Sequence, residues 1–360
     1  MRVLVTGAAG FIGSTIVDQL RERGDEVVPV DVLLPAAHAG RPDWVSELHE
    51  VDVRDEQALA PLLTGVDLVC HQAAMVGLGL DAHDAPAFVS QNVLGTATLL
   101  SAMTRAGVSG VVQASSMVVY GDGGYTCAEH GEVRPAPRRP EDLDAGRFDP
   151  PCPHCGRAVD WHPIDEDAGL DPRTTYAATK LAQEHLAAAW CLQTGGRAVS
   201  LRYHNVYGAR MPRDTPYAGV ASMFRSSLAA GRPPRVFEDG AQQRDFVEVT
   251  DVARANLAAL DALTDADGPA PGGPHRAYNV ASGRPRSILD LAVRMAEVMD
   301  GPRPEVVGGG RPGDVRHIVA DPGRARTELG FSARVGFDDG VAAFVAAPMR
   351  APAAGGRTTA

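Results

Sequence analysis

Apolar positions in the first 120 residues alternate between two periods. Arg2–Thr6 holds Val3, Leu4 and Val5 in succession, the pattern of a strand covered on both faces. Phe11–Arg23 changes to helical spacing, with Phe11, Ile12, Ile16, Val17 and Leu20 apolar, and Gly24 ends it. Glu26–Asp31 is strand-like again. Asp55–Leu63 reads as a short helix, Val66–His71 as a strand, Ala85–Ala106 as a long helix and Gly110–Ser115 as a buried strand. Strands alternating with helices predict βαβ units. The expected fold class is therefore α/β, a Rossmann-type doubly wound parallel sheet.

The alternation stops over residues 121–175, a stretch rich in Gly, Pro, Arg and Asp with little periodicity. A loop of that length inside a compact domain is expected to be functional or internally tied. Regular patterns resume with a helix at Tyr176–Gln193 and a strand at Ala198–Tyr203. Further helices are expected near Ala218–Ala230, Thr250–Leu263, Ile288–Met299 and Gly340–Ala346, with a strand at Tyr278–Ala281. Residues 347–360 read as a flexible tail.

The chain has 360 residues and a net charge of −11, which allows two lobes and repels phosphate backbones, so nucleic acid is not an expected partner. No apolar run reaches membrane-spanning length and the N-terminus lacks signal-peptide architecture; a soluble, cytoplasmic protein is expected.

Chemistry enters at the first turn, Thr6-Gly7-Ala8-Ala9-Gly10-Phe11-Ile12-Gly13, between the first strand and the first helix. Three glycines at this spacing serve a tight turn, close approach of a pyrophosphate, and helix–strand packing. The helix N-terminus adds free N–H groups and a positive dipole end. Asp31 closes the second strand, where it can hold both ribose hydroxyls and repel a 2′-phosphate, so NAD is preferred to NADP. Gly7, Ala9, Gly10, Phe11, Ile12, Gly13 and Asp31 are therefore candidate cofactor contacts. Asp52 and Val53 can face the adenine, although Asp52-Val53-Arg54-Asp55 can equally cap a helix. In His71-Gln72-Ala73-Ala74, the small Ala73 and Ala74 lie at the carboxyl edge of the sheet and let a cofactor approach; His71 reads as structural.

Tyr176 and Lys180 lie four apart on one helical face. A tyrosine is a poor base at neutral pH, but a neighbouring ammonium and the positive nicotinamide ring would favour its phenolate. The pair can then take a proton from a substrate hydroxyl while hydride leaves the same carbon. Ser115-Ser116 closes the preceding buried strand and can hydrogen-bond the reacting oxygen.

Together these motifs resemble an extended short-chain dehydrogenase/reductase of the NAD-dependent sugar epimerase/dehydratase group. The resemblance is carried by TGAAGFIG, Asp31, HQAA, Asn92-Val93-Leu94-Gly95-Thr96, Ser115-Ser116-Met117-Val118-Val119-Tyr120-Gly121, Tyr176/Lys180, Arg202-Tyr203-His204-Asn205-Val206-Tyr207-Gly208 and Arg244-Asp245-Phe246-Val247. It implies a tightly held NAD and a nucleotide-sugar substrate, a UDP- or dTDP-hexose, in a C-terminal lobe. Ser116, Tyr176 and Lys180 match the catalytic triad. Asn92, Ser115 and Tyr203 join the implied cofactor contacts, and Met75, Ser116, Met117 and Asn205 the implied substrate contacts. Arg244 and Arg311 match arginines that clamp the diphosphate, and Asp314 a ribose contact. The chemistry agrees, since a buried diphosphate calls for forked, charge-assisted donors. The segment Val236-Phe237-Glu238-Asp239 and the region Arg210–Tyr217 are expected near base and sugar. A homodimer through the helices Ala85–Ala106 and Tyr176–Gln193 is also implied. The expected layout is an NAD-binding domain over 1–120 and 171–210, an insert over 121–170, a nucleotide-sugar lobe over 211–346 and the tail.

Dehydratases of this family carry an Asp-Glu pair just after the catalytic hydroxyl, and related decarboxylases a Glu in the same segment. Here Met117 and Val118 stand there, and neither moves a proton. Oxidation at C4 and re-reduction on the opposite face remain, so the expected reaction is 4-epimerisation; a dehydratase or reductase is the runner-up. A non-catalytic NAD sensor is a more remote alternative.

The insert holds three of the five cysteines. Cys127-Ala128-Glu129-His130 and Cys152-Pro153-His154-Cys155-Gly156 form two short knuckles that match a structural zinc site, with Cys127, His130, Cys152 and Cys155 as ligands. His154 and His162 rank below them. Metal binding would order a segment with almost no apolar core. The insert is expected beside the substrate mouth. It is similar to Cys-rich inserts of some members akin to dTDP-rhamnose 4-epimerases, which makes a dTDP-deoxyhexose one candidate substrate.

Overall fold

The computed structural model describes residues 1–35, 37–77, 82–213, 219–264, 273–310 and 314–350. Seven strands form the central sheet: β1 (Arg2–Thr6), β2 (Glu26–Asp31), β3 (His49–Glu50), β4 (Leu68–His71), β5 (Gly110–Ser116), β6 (Arg197–Tyr203) and β7 (His275–Val280). Their order is 3-2-1-4-5-6-7 and every pairing is parallel. Side chains alternate across each strand, which fills two cores at once. Val3 and Val5 of β1 join Ile16 and Leu20 of the Phe11–Arg23 helix and Val252 and Leu260 of the Val249–Thr264 helix. Leu4 points the other way, into a core with Leu99, Met103, Ala187 and Trp190. The chain order reverses between β1 and β4, and a crevice opens there at the carboxyl ends of the strands, where doubly wound folds bind ligands.

The helix expected at Ala85–Ala106 is continuous but not uniform. Residues Val89–Leu94 wind as a π-helix between α-helical Ala85–Phe88 and Gly95–Ala106. A one-residue excess of this kind is frequent at functional sites. Here it brings Asn92 inward: its side chain accepts from Met75 N at 2.7 Å and donates to Thr179 Oγ1 at 2.9 Å.

Beyond β6 a smaller lobe packs Tyr207, Phe224, Leu228, Leu291, Met295 and Phe344 into its own core. Residues 121–170 are built on short hairpins. Gly124–Cys127 pairs antiparallel with Gly131–Val133 and with Asp160–His162, and a second turn is pinned by the Pro151–Ala158 bridge. The stretch expected to be tail differs from expectation over its first residues. Arg210 N donates to Pro348 O (2.8 Å), Arg350 N to Met211 O (3.1 Å) and Arg213 N to Arg350 O (3.2 Å), so residues 348–350 run beside 210–213 through an isolated parallel bridge between Pro212 and Arg350. Residues 351–360 lie outside the described residues. Among the described residues no helix is long and apolar enough to cross a membrane.

Candidate active site

The crevice is a cleft of about 430 Å³ that runs from Asp31 to Tyr176. Its floor is the first turn. Gly7 has φ +67°, and a Cβ there would lie 2.7 Å from Ala73 N, while a methyl at Gly13 would collide with the Gly7 carbonyl. Only glycine permits both approaches. The Phe11–Arg23 helix begins at Gly10 with no side-chain cap and no acid in its first turn. Its first N–H groups therefore remain available to an anion. At one end, Asp31 Oδ2 accepts from Ala9 N (3.1 Å) and Oδ1 from Leu33 N (2.9 Å). Each oxygen keeps lone-pair capacity for a hydroxyl. His38 stands 3.7 Å from the same carboxylate.

At the other end, Ser116, Tyr176 and Lys180 converge. The Thr175–Thr194 helix starts cleanly because Thr174 accepts from Ala177 N, and this sets Tyr176 at the helix mouth facing the end of β5. Lys180 Nζ donates to Ala114 O at 2.9 Å and lies 6.0 Å from the Tyr176 ring centre. Burial brings its pKa down to about 7, with Glu184 pulling the other way. Burial raises Tyr176 to about 12, against the hydrogen bond with Ser116. In the protein without cofactor, desolvation therefore keeps the phenol protonated. His71 is structural, bridging Thr6 Oγ1 (2.7 Å) and Thr96 Oγ1 (3.0 Å), and burial first, then Lys180, lowers its pKa to about 3.

Gly7, Gly10, Phe11, Ile12, Gly13, Asp31, Val53, Ala73, Ala74, Ser115, Ser116, Tyr176, Lys180, Tyr203 and Asn205 all line the cleft. Several other expected contacts do not, each for a physical reason. Asp52 is folded back onto Arg54 at 2.5 Å. Ala9 is fully buried and supplies its N–H to Asp31. Met75 and Asn92 bind each other behind the wall. Met117 packs with Val119 and Ile318. Arg244 is buried, its guanidinium spent on the carbonyls of Gln243, Val315 and Arg316 at 2.6–2.9 Å. Asp314 is outside the cleft lining, and its carbonyl accepts from Arg138. Ser115 lines the cleft but donates to Glu184 at 2.5 Å. Glu238 and Asp239, expected near the sugar, bind Arg316 instead. Arg311 lies outside the described residues, as do positions 214–217 of the Arg210–Tyr217 region.

Sequence reasoning missed Gln72, His38 and Arg350, which also line the cleft. Gln72 stands inside the quoted HQAA motif and accepts from the Tyr203 hydroxyl at 2.9 Å. No local pattern marks Arg350, which reaches the cleft through tertiary pairing alone.

In the insert the four expected ligands meet. Cys127 Sγ is 3.6 Å from His130 Nδ1 and 3.8 Å from Cys155 Sγ; Cys152 Sγ is 3.7 Å from His130 Nδ1. All four ligand atoms lie within 4.8 Å of one another, and no cysteine is in a disulfide. Both knuckles end on a left-handed glycine, Gly131 (φ +69°) and Gly156 (φ +72°). The backbone N–H of Glu129, then the His130 ring, favour the Cys127 thiolate and bring it to about 6.

Residues 3–141 and 155–281 match the model of the NAD dependent epimerase/dehydratase family. The chain belongs to that family. The unmatched gap falls within the insert and contains Cys152. The chain is 34% identical to dTDP-L-rhamnose 4-epimerase of Burkholderia thailandensis, over 94% of this chain and 93% of that one. It is 32% identical to UDP-glucose 4-epimerase of Mycolicibacterium smegmatis, over 95% and 96%. Among solved structures, UDP-glucose 4-epimerase of Thermus thermophilus with NAD superposes with a TM-score of 0.74 at 29% identity, covering 96% of this chain and 98% of that one. The Thermotoga maritima UDP-glucose 4-epimerase with UDP-glucose gives 0.76 at 26% identity, with 96% and 98% covered. The chain is thus an NAD-dependent epimerase of this family. NAD fits the cleft on its own terms: an uncapped, acid-free helix start for the pyrophosphate, and a carboxylate with spare acceptors for the ribose.

Proposed function

We propose that the enzyme is a nucleotide-sugar 4-epimerase. The observation that carries this is the cleft's acid inventory. Among the described residues that line it, Asp31 is the single carboxylate, and it sits at the adenosine end. Elimination of water needs a proton donor and acceptor beside Tyr176, and Met117 and Val118 supply neither. Bound NAD supplies a hydride acceptor and then a hydride donor for one sugar carbon. Tyr176 takes the C4 hydroxyl proton and later returns it. Lys180 holds positive charge beside the phenolate, and Ser116 donates a hydrogen bond to the reacting oxygen. The Gly-rich floor keeps NAD in place through a cycle with no net redox change.

The substrate is a UDP- or dTDP-hexose, with a dTDP-deoxyhexose favoured by the Burkholderia thailandensis relative. Incubation of the purified protein with dTDP-L-rhamnose and with UDP-glucose, without added cofactor, tests this by NMR. The expected product is the C4 epimer of one of them. A stable 4-keto-6-deoxy sugar would instead establish the dehydratase reading, and recovery of both sugars unchanged from NAD-loaded protein would favour the sensor.

Two further parts belong to this reading. Cys127, His130, Cys152 and Cys155 hold a structural zinc. With Zn–S of about 2.3 Å and Zn–N of about 2.05 Å, a tetrahedral ion sets S···S edges of about 3.8 Å and S···N edges of about 3.6 Å. Cys127–His130, Cys152–His130 and Cys127–Cys155, at 3.6, 3.7 and 3.8 Å, have spacings of that kind. The molecule also acts as a homodimer through the paired helices Ala85–Ala106 and Thr175–Thr194, with substrate rather than nucleic acid or membrane as its other partner.

A further inference from the structure

The last described residues cross back to the cofactor cleft, and residues 347–350 are held along their whole length. Arg225 Nη2 donates to Ala347 O at 2.6 Å. Arg210 N donates to Pro348 O at 2.8 Å. The Met349 side chain packs against the core of the smaller lobe. Arg350 N donates to Met211 O at 3.1 Å, and Arg350 O accepts from Arg213 N at 3.2 Å. The segment it pairs with is itself tied to the NAD-binding domain. Arg210 Nη1 donates to Asp18 Oδ2 on the Phe11–Arg23 helix at 2.7 Å, and its guanidinium lies 5.7 Å from the Trp44 ring centre. A chain end with this many partners is a fixed strap.

What the strap delivers is Arg350, whose side chain lines the cleft, as do its pairing partners Met211 and Pro212. Among the described residues that line the cleft it is the only arginine. The only lysine, Lys180, is at the catalytic end with its ammonium on Ala114 O. Arg350 is at the other end, where its charge acts on Asp31 and on His38. Its Nε is buried with no hydrogen-bond partner among the described residues. Burial also works against its charge, with Asp31 pulling the other way. A buried, charged donor left unpaired is costly, so a guanidinium held like this points to a ligand that completes it.

The dinucleotide has the missing acceptors. Its adenosine diphosphate half carries two phosphate charges and the ribose oxygens, which a guanidinium binds as a fork. The start of the Phe11–Arg23 helix offers the phosphates only backbone N–H groups and a dipole. Arg350 adds a full positive charge from the opposite lobe.

We propose that Arg350 is a cofactor-binding residue, delivered by the strap 347–350 to the adenosine diphosphate half of NAD, and that the strap sets how slowly the cofactor leaves. The proposal rests on NAD occupying the cleft and not on the choice of sugar. Arg225 is a positioning residue, since it holds Ala347 and does not line the cleft.

The test follows cofactor release rather than turnover. Holoenzyme carrying isotope-labelled NAD is chased with excess unlabelled NAD, and the label retained is measured after rapid gel filtration. Arg350→Met should release label about tenfold faster, the loss of one charge-assisted contact. Arg350→Lys, which keeps the charge, should recover part of the retention. Salt should speed release from the unaltered protein more than from Arg350→Met, because screening acts only on a charge that is present. Arg225→Met, which loosens the strap and leaves the cleft lining intact, should release label severalfold faster. Combined with Arg350→Met it should add nothing further, since both act through one contact. Additive effects would make Arg225 a packing residue and overturn the strap's role. Release from Arg350→Met at the unaltered rate overturns the proposal outright. If Arg350→Met does not fold, Arg225→Met decides: faster release with a weaker salt dependence supports the strap, and an unaltered rate overturns it. If the unaltered protein neither carries nor takes up NAD, the cofactor assignment fails and the proposal with it, a result distinct from fast release because no label loads.

Discussion

Lys180 gives up its water for a single carbonyl, Ala114 O, and burial lowers its pKa to about 7. In the unfolded chain it titrates at about 10.4. Between those values the unfolded state binds more protons than the native one, so this residue makes stability rise with pH from about 7 to 10. Below pH 7 its full cost is present, on the order of a few kcal/mol. Lys180→Met should therefore raise the Tm at pH 6, and the gain should shrink toward pH 10, although turnover is lost. A gain independent of pH would mean that packing, not charge, sets the cost. Tyr176 answers to the same desolvation in the opposite sense. Burial raises it to about 12, so the protein without cofactor keeps a neutral phenol. The positive nicotinamide ring of bound NAD favours the phenolate. Tyr176→Phe keeps the ring and its packing on Phe88, 6.2 Å away, and removes only the proton carrier. Turnover should fall by at least ~100-fold, while NAD released by denaturation still matches one per chain. Retained activity would remove Tyr176 from the mechanism.

Elements whose order comes from their own apolar period were legible. Phe11–Arg23 and Glu26–Asp31 have the bounds their patterns indicate, because each buries a stripe or a face against a neighbour. Three features were not legible, each fixed by something outside its own stretch of chain. The π-helical Val89–Leu94 has the same apolar spacing as its flanks, and the contact that identifies it, Asn92 on Met75, is tertiary. The hairpins of the insert follow from where the knuckles meet, which composition hides. The backbone pairing of 348–350 exists because Arg210–Arg213 offers partners. The site divides the same way. Its glycines and its Tyr–Lys pair were readable, since spacing dictates them, whereas Arg244 was readable as a residue but not as one occupied by carbonyls. Two outcomes follow at this scale. Glu238 is buried between Arg138 and Arg316, 2.8 and 2.9 Å away, so Glu238→Gln removes one charge from a closed cluster. It should cost about 3 kcal/mol in urea unfolding, as loss of one member of a buried pair does. Arg350 lines the cofactor cleft, and its charge acts on Asp31 there. Arg350→Ala should speed NAD exchange about tenfold, the loss of one charge-assisted contact, measured as cofactor retained through gel filtration.

At the scale of the molecule, the helices Gly95–Ala106 and Thr175–Thr194 pack side by side, tied by Asn92 to Thr179 and by Trp190 to Thr104 at 2.8 Å. Their inward faces fill the core with Leu99, Met103 and Ala187. The outward face near the start of the first helix is not polar. Val89 is 47% and Leu94 53% exposed. In a π-helix, residues five apart lie on one face, so the winding at Val89–Leu94 sets these two side chains together instead of a turn's fraction apart. Large apolar side chains adjacent on a surface mark an interface more often than a solvent face. A net charge of −11 keeps chains apart unless an apolar face overcomes it, so the association should tighten with salt rather than loosen. The proposed second copy, related by a twofold axis, would place the same helices against each other. Light scattering should then give twice 37.8 kDa at moderate salt. Val89→Glu with Leu94→Glu should yield monomer that still carries NAD, because neither side chain lines the cleft. Monomer in the unaltered protein at every salt concentration would leave that face to solvent and the enzyme to work as a single chain.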